Sequence, residues 1–505
     1  MISRLTEIVG PQDVFTAEAD LIVYECDGLT HFRQRPGVVV LPSTTEQVAE
    51  IVKLCVREGR PFVPRGAGTG LSGGAVAPPG AVLIVTSRMN RVLEVVPEDR
   101  YAVTQVGVTN SRLSEAVARW GLHFAPDPSS QSACTIGGNV AENSGGPHCL
   151  KYGNTTRHVL GLRVVLPEGD IVDLGGPLEK EPGFDLTGLF VGSEGTLGIA
   201  TEATVRLTPL PATVETLLVP FRSVEQACAT VSGIIAEGII PATIELMDGL
   251  AIRAVESSVY AAGYPADAGA VLLVEIDGDG EQVTADAARV RTICEHCGTL
   301  GGTLGGTLGG TLGGTLGGTL GGTLGGTLGG ALGLRAARDK EERLRLWKGR
   351  KGVFGAMGRL APDLYVMDAV VPRSRLAEVI AKVIVIGKKH GIKLSNIMHA
   401  GDGNLHPNIS YDGRDPGERQ RAHDAGAEIL RACLEAGGVL TGEHGIGLEK
   451  RDFMSEMFSA ADLDVMRRVR NAINTRGLLN PDKVLPPLEE PHGPPASLGP
   501  SKRVS

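Results

Sequence analysis

Two short stretches near the C-terminal end carry the side chains best suited to chemistry, "KLSNIMHAGDGNLHPNIS" (393–410) and "GGVLTGEHGIGLEKR" (437–451). In the first, Asp402-Gly403 is a favoured type I′ hairpin turn between strand-like residues. A two-residue turn places residues whose numbers sum to 805 opposite each other, which pairs Ala400 with Leu405 and His399 with His406. Their Cβ atoms would then lie roughly 5 Å apart on one face, a spacing at which two imidazoles can share a metal at about 2.1 Å each. Asn408 falls on the same face by the period of two. In the second stretch Glu443 and His444 sit between Gly442 and Gly445. Extended neighbours point opposite ways, so both reach one site only through a bend, which the glycines permit. Glu443 supplies a third, oxygen ligand and His444 a base. A set of His399, His406 and Glu443 leaves coordination positions open, as in a catalytic metal site.

Such a centre suits two classes of enzyme. In a metallohydrolase the metal activates water; in a flavoenzyme it holds the hydroxyl and carboxylate of a substrate beside a bound flavin. A non-catalytic flavin electron-transfer subunit is a third reading, but it has no use for the histidine hairpin. The elements upstream bear on the choice. "PSTTEQVAEIVKLCVREGR" predicts a helix with a Thr44/Gln47 capping box, a buried stripe of Val48, Ile51, Val52 and Cys55, and a stop at Gly59. "PFVP" predicts a strand leading into "RGAGTGLSGG" (65–74), which matches G-x-G-x-x-G. A dinucleotide fingerprint needs a helix starting inside the motif, whereas here Pro78-Pro79-Gly80 forbids one and Ala81 to Val85 reads as a strand. The glycines instead free a row of backbone N–H groups for an anion. A helix over Ser111 to Gly121, with Leu113, Ala116, Val117 and Trp120 at core spacing, leads to "PDPSSQSACTIGGNVAENSGG" (126–146), read as a second loop of small residues. Two loops can enclose a long anionic ligand, for which a hydrolase has no use.

The chain of 505 residues is 42% hydrophobic with net charge -9. It is long enough for two or three domains, and without a basic run it excludes a nucleic-acid partner. The N-terminus lacks an apolar leader and no apolar run could span a bilayer, so the expected location is cytoplasmic. Eight scattered cysteines, with one C-x-x-C at Cys294 and Cys297, are read as reduced thiols. Thr-Leu-Gly-Gly repeats eight times from Thr299 to Gly330. It is read as a flexible expansion in a surface loop, with a span of roughly 30 Å as a coil. The proline-rich tail from 487 to 505 is expected to be disordered.

Six motifs in order, "PRGAGTGLSGG", "PDPSSQSACTIGGNVAENSGGPHCLKYG", "GLFVGSEGTLGI", "MHAGDGNLHP", "TGEHGIGLEKR" and "GLLNPDK", resemble the FAD-binding subunits of bacterial glycolate oxidases and their kin, the D-lactate and D-2-hydroxyglutarate dehydrogenases. The resemblance spans roughly residues 10 to 486. It implies an α+β fold. A segment 1–30 would precede a vanillyl-alcohol-oxidase-type FAD-binding domain over 31–212. An FAD-linked oxidase C-terminal substrate domain with an antiparallel sheet would follow over 213–486, interrupted by the repeat at 299–330.

Carried over residue by residue, Arg65, Gly66, Ala67, Gly68, Thr69, Gly70, Leu71 and Ser72 would form the first pyrophosphate loop. Pro126, Asp127, Ser129, Thr135, Gly137, Gly138, Asn139, Asn143, Gly145 and Gly146 would form the second wall. Glu194, Gly195, Gly198 and Ile199 would run along the adenosine and pyrophosphate, with Asn480 near the flavin. Thr69 stands where covalent members carry histidine, which implies non-covalent FAD. His399, His406 and Glu443 match the metal ligands, His444 the base, Asn408 a substrate contact and Arg350 the arginine for the substrate carboxylate, a role that suits its planar fork. Val366 replaces the lysine of D-2-hydroxyglutarate enzymes, which implies no second carboxylate on the substrate.

The implied reaction converts a short 2-hydroxy acid, glycolate favoured, to its 2-oxo acid. Hydride goes to flavin N5, His444 takes the hydroxyl proton, and zinc, manganese or iron assists. The implied partners are further subunits, one of them iron-sulfur, leading to a membrane quinone pool. Peripheral association with the inner face of the membrane would then run through those partners.

Overall fold

The computed structural model describes residues 1–177, 182–297 and 333–487. The Thr-Leu-Gly-Gly repeat and the proline-rich tail lie outside the described residues. Near the N-terminus a helix, Thr45–Arg57, buries Val48, Ile51, Val52 and Cys55 as its period requires. Thr44 Oγ1 caps Gln47 N at 3.2 Å. The return bond of the expected box is displaced by one residue, because Gln47 Oε1 accepts from Ser43 N at 2.7 Å. Strand Phe62–Arg65 runs parallel to Val82–Val85, which in turn runs parallel to Val38–Val40. No helix interrupts 66–81, so the glycine motif is not a Rossmann turn.

A second sheet of five antiparallel strands orders Val92–Val96, Tyr101–Gln105, Ile199–Arg206, Val159–Val165 and Ile171–Gly175. Two expectations need correction here. The helix Asn110–Val117 buries Leu113 and Val117, but Ala116 is exposed and Trp120 is 37% exposed. The chain tightens into a 3-10 turn, Ala118–Trp120, whose three residues per turn swing Trp120 out of phase. The stretch 126–146 is not all loop: Ile136–Glu142 is helical, capped by Thr135 Oγ1 on Gly138 N at 3.2 Å. Its glycines answer to space rather than to flexibility, for a Cβ on Gly137 would lie 2.8 Å from Val106 Cβ.

The C-terminal half is built on an eight-stranded sheet. Its path runs Arg335–Ala336, Thr213–Phe221, Ala270–Gly278, Thr243–Asp248, Lys393–His399, Asn404–Tyr411, Asp363–Val366, with Ala369–Val370 also pairing Asn404–Tyr411. Side chains alternate between its faces. Leu217, Leu272, Val274, Leu405 and Ile409 pack with the helices Val224–Ala236, Gly280–Cys297, Leu376–His390 and Pro416–Glu435. The other face sets Val271, Leu273 and Ile397 against Gly249–Glu256, Lys340–Lys351 and Val353–Met357. By the same alternation Glu245, Glu275, His399, His406 and Asn408 belong to that second face.

The histidine hairpin forms, but its register differs from expectation. Ile397 faces His406, Met398 faces Leu405 and His399 faces Asn404, so partner numbers sum to 803 and four residues, 400–403, make the turn. The wider loop is pinned on both sides. Gly401 N donates to Ile244 O at 3.1 Å and Val371 N to Gly403 O at 3.0 Å, while Asp402 Oδ1 accepts from Asn404 N at 3.1 Å. A slip of two residues on one strand preserves the face, whereas a slip of one would have reversed it. His399 and His406 are therefore diagonal neighbours, with ring centroids 5.0 Å apart.

Asp248 ties this strand pair down. Its Oδ1 caps Leu250 N and Ala251 N at 3.1 and 3.0 Å, and its Oδ2 accepts from Asn396 N at 2.6 Å. Replacing Asp248 by Ala leaves buried donors unmatched and is expected to cost about 1–3 kcal/mol, read as a lowered denaturant midpoint. An unchanged midpoint would show that Asp248 does not hold the strand.

Among the described residues no helix is long and apolar enough to cross a membrane. Cys26, Cys55, Cys134, Cys149, Cys228 and Cys433 are free thiols.

Candidate active site

A cavity of about 500 Å³ lies between the glycine loops and the polar face of the large sheet, within the size range of ligand pockets. Arg65, Gly66, Ala67, Gly68, Thr69, Gly70, Leu71, Ser129, Thr135, Gly137, Gly138, Asn139, Glu194, Gly195, Gly198 and Ile199 line one end. Arg350, Lys351, His399, His406, Glu443 and His444 line the other. The two loops meet closely, since a Cβ on Gly66 would lie 2.4 Å from Thr135 Oγ1. Both amide atoms of Asn139, Nδ2 and Oδ1, are buried without a protein partner. A chain of bare backbone plus unsatisfied amide groups fits an extended phosphate-bearing cofactor.

The remaining expected residues do not line the cavity; they stand behind it, some against residues that do. Ser72 O accepts from Leu448 N at 2.9 Å and Glu449 N at 3.1 Å, and Pro126 O accepts from Asn110 Nδ2 at 2.8 Å. Asn143 ends the short helix in the left-handed conformation and takes Thr156 N on Oδ1 at 2.8 Å. Gly145 packs against Cys149 and Glu443, and Gly146 against Asp127. Asn480 Nδ2 donates to Glu194 O at 2.7 Å and Gly74 O at 3.2 Å. Asp127 faces His148 and Lys351. Asn408 is fully buried, with Nδ2 on His406 O at 2.6 Å and Oδ1 unpartnered.

At the other end of the cavity the tautomers of both histidines are set from behind. His399 Nδ1 lies 2.7 Å from Glu245 Oε1 and His406 Nδ1 lies 3.2 Å from Met367 O. Both partners only accept, so Nδ1 carries a hydrogen in each ring and Nε2 is the nitrogen turned to the cavity. The two Nε2 atoms converge on Glu443 Oε1 at 3.1 and 3.2 Å. A carboxylate oxygen only accepts, so a positive charge must stand between it and the rings, either a proton on Nε2 or a metal ion in its place. Burial disfavours charge on His399 and Glu443, yet Glu245 and Glu443 hold His399 well above its ordinary value, and the two histidines hold Glu443 well below.

Asp368, His406 and His444 also cluster closely enough for a metal. That trio is a poor choice, because Lys450 Nζ stands 3.2 Å from Asp368 Oδ2 and would repel the ion. Asp368 instead shapes the turn. Its Oδ2 accepts from Thr441 Oγ1 at 2.5 Å, Gly442 N at 3.0 Å and His444 N at 3.1 Å. Burial opposes its charge, but Lys450, His444 and His406 hold it well below the carboxylate range. This is how Glu443 and His444 both reach the cavity. His444 stacks on His406 at 4.9 Å with Nδ1 buried and unpartnered. Burial drives its pKa down to about 4, so the ring is neutral at physiological pH.

Arg350 is 1% exposed and pairs through Nη2 with Glu245 Oε2 at 2.5 Å, leaving Nε and Nη1 buried without partners. Sequence patterns did not single out Glu245, Lys450 or Lys351 as parts of the site. Glu245 did leave a signal, an acidic residue between Ile244 and Leu246 in the strand Thr243–Asp248.

Glycine-walled cavity, vanillyl-alcohol-oxidase-type α+β architecture and imidazole cluster together define a flavin-dependent oxidoreductase. Residues 36–175 match the FAD binding domain family and residues 210–484 the family of FAD linked oxidases, C-terminal domain. The chain belongs to the FAD-linked oxidases. It is 43% identical to glycolate oxidase subunit GlcD of Escherichia coli over 97% of this chain and 91% of that protein. It is 31% identical to a D-lactate dehydrogenase of Anaerostipes hadrus over 96% and 97%. The fold matches that of p-cresol methylhydroxylase with a TM-score of 0.76 at 16% identity, covering 95% of each chain.

Because Lys450 is fully buried against Asp368, Asp368→Ala strands a charge and is expected to cost about 3–5 kcal/mol. Thermal unfolding of the FAD-loaded protein checks this, and a melting temperature within error of wild type would exclude Asp368 as the organiser of the turn.

Proposed function

We propose that this chain oxidises a short 2-hydroxy acid, glycolate before others, to the corresponding 2-oxo acid. The supporting observation is the Arg350 guanidinium, buried with two nitrogens unpartnered in one cavity with His399, His406, Glu443 and His444. Buried donors left unpaired are costly unless a ligand completes them, and a carboxylate is the charge-matched acceptor for a guanidinium N–H. Phe354, Leu364 and Val366 line the same cavity as Arg350. They offer no partner to a second carboxylate and leave an apolar surface for a small substituent. That surface favours a second reading, D-lactate, whose methyl group it can accept.

In this reading Arg350 fixes the carboxylate and so sets the hydroxyl against His444. The neutral imidazole takes the hydroxyl proton, and Asp368 holds that ring through its backbone N–H. Asn408, buried behind the histidines, braces His406 through its backbone carbonyl. His399, His406 and Glu443 would hold zinc, manganese or iron, and the chemistry such an ion supplies is acidification of the substrate hydroxyl. FAD, bound non-covalently along the glycine loops, supplies the two-electron acceptor. Electrons then leave through partner subunits, one of them iron-sulfur, to a quinone pool, which places the protein in the cytoplasm at the inner face of the membrane.

Anaerobic mixing with glycolate, D-lactate and L-lactate in turn tests the substrate, with glycolate expected to bleach the oxidised flavin absorbance. Bleaching by none of the three, with dithionite still effective, would overturn the substrate class. His444→Asn is expected to slow bleaching by roughly 100- to 10,000-fold with FAD retained; near-full turnover would remove His444 as base. The double variant His399→Ala, His406→Ala is expected to lose the metal on elemental analysis, and unchanged metal content would refute the ligand set.

A further inference from the structure

The stretch "PHCLKYG" (147–153) belongs to the second glycine-rich wall, yet none of its side chains faces the cavity. They reach instead into the large sheet. Strand Ala270–Gly278 ends in two buried carboxylates on one face, Glu275 and Asp277. Lys151 Nζ donates to Asp277 O at 2.6 Å and Tyr152 Oη to Asp277 Oδ2 at 2.6 Å. His148 does more than dock. Its Nε2 lies 3.3 Å from Glu275 Oε1 and its Nδ1 lies 2.9 Å from Asp127 Oδ2. Carboxylates only accept, so both ring nitrogens donate and the ring is an imidazolium.

Both of these carboxylates also hold the helix that carries Arg350. Glu275 takes Arg343 Nη2 at 2.9 Å, Arg343 Nε at 3.0 Å and Trp347 Nε1 at 2.7 Å, and Asp127 takes Lys351 Nζ at 3.3 Å. Arg343, Trp347 and Lys351 recur every four residues and form one stripe of the helix Lys340–Lys351. A closed ring results: His148, Glu275, the helix stripe, Lys351, Asp127 and back to His148. The imidazole also lies against the Trp347 ring at 5.5 Å. Arg350 projects from the same turn of helix as Lys351, towards the cavity.

We propose that His148 is a positioning residue: it registers the helix bearing Arg350 against the FAD-binding domain and so sets where the substrate carboxylate sits relative to the flavin. This rests on the reading of Arg350 as carboxylate binder. The flavin is placed by one domain and the substrate by the other, and an Arg350 drawn away from the substrate carboxylate loses charge-assisted bonds and with them roughly ten- to hundred-fold in affinity. Burial pulls the His148 pKa down, but Asp127 and Glu275 raise it to about 10. With Lys351 and Arg343 the other charges facing it, the ring stays protonated from its ordinary value near 6.5 up to that pH. The link is therefore constant at physiological pH, and it loosens as pH rises through about 10.

The experiment uses the FAD-loaded full chain. His148→Leu is expected to raise KM for glycolate roughly ten- to hundred-fold, with FAD affinity unchanged by flavin fluorescence, and His148→Gln, which keeps one donor, to fall between. Tyr152→Phe removes a docking bond outside the ring and is expected to lower the melting temperature with KM unchanged. An unaltered KM in both His148 variants overturns the proposal, as does an equal rise in KM from Tyr152→Phe, which would mark the contact as merely structural. If His148→Leu does not fold, His148→Gln and Lys351→Met, which opens the ring at its other end, decide. Arg350→Met, measured in parallel, separates the two ideas. A rise in KM there without one at His148 sinks only this inference, and no rise at Arg350 sinks the reading of the site.

Discussion

A carboxylate shut away from water must be surrounded by donors, and at this site Asp368 meets that demand by bending the chain that carries the chemistry. Four groups of the Thr441 to His444 turn and the ammonium of Lys450 all point at one oxygen. The geometry that satisfies Asp368 is also the one that turns Glu443 towards the histidine hairpin and His444 onto the His406 ring. Removing the charge would free the turn to extend, and extension sends those two side chains to opposite sides. The convergence of Glu443 on His399 and His406 and the stacking of His444 thus depend on a single electrostatic requirement.

The same logic repeats with other buried charges. Glu245 sits between His399 and Arg350, so one carboxylate fixes a histidine tautomer and the direction of a guanidinium. Glu275 collects donors from His148, Arg343 and Trp347. Each anion stands on the polar face of the large sheet and is matched by side chains from elsewhere. Breaking one partner would leave a desolvated charge, which is why such sets hold geometry more firmly than apolar contacts of similar area.

Much of this was legible in the sequence where local rules suffice. The capped helix at Thr44, the absence of a Rossmann turn and the hairpin at Asp402 each depend on a few adjacent residues. The hairpin register did not, because the turn is drawn open by Ile244 and Val371, neighbours more than 25 positions away whose pull no local pattern encodes. The histidines still met because an error of two residues leaves the face unchanged. Helix Ile136–Glu142 was missed for a related reason: its glycines lower helical propensity, and only the nearness of Val106 explains why they are needed. Asn480 and Gly145 came from family resemblance, and their roles behind the cavity wall were not visible in the sequence. Glu245 and Lys450 acquire meaning only when strands far apart in the chain are brought together.

Glu194 belongs to two structures at once. It lines the cofactor cavity, and its two carboxylate oxygens take Ile446 N and Gly447 N, each at 2.7 Å, just beyond the turn that presents His444. Order in the cofactor wall and order in the turn bearing His444 are therefore thermodynamically linked. Whatever free energy FAD spends in fixing Glu194 is recovered in part as a lowered entropy cost of fixing the turn. Occupancy at one end of the cavity is thus felt at the other, through a single carboxylate rather than through the ligand itself.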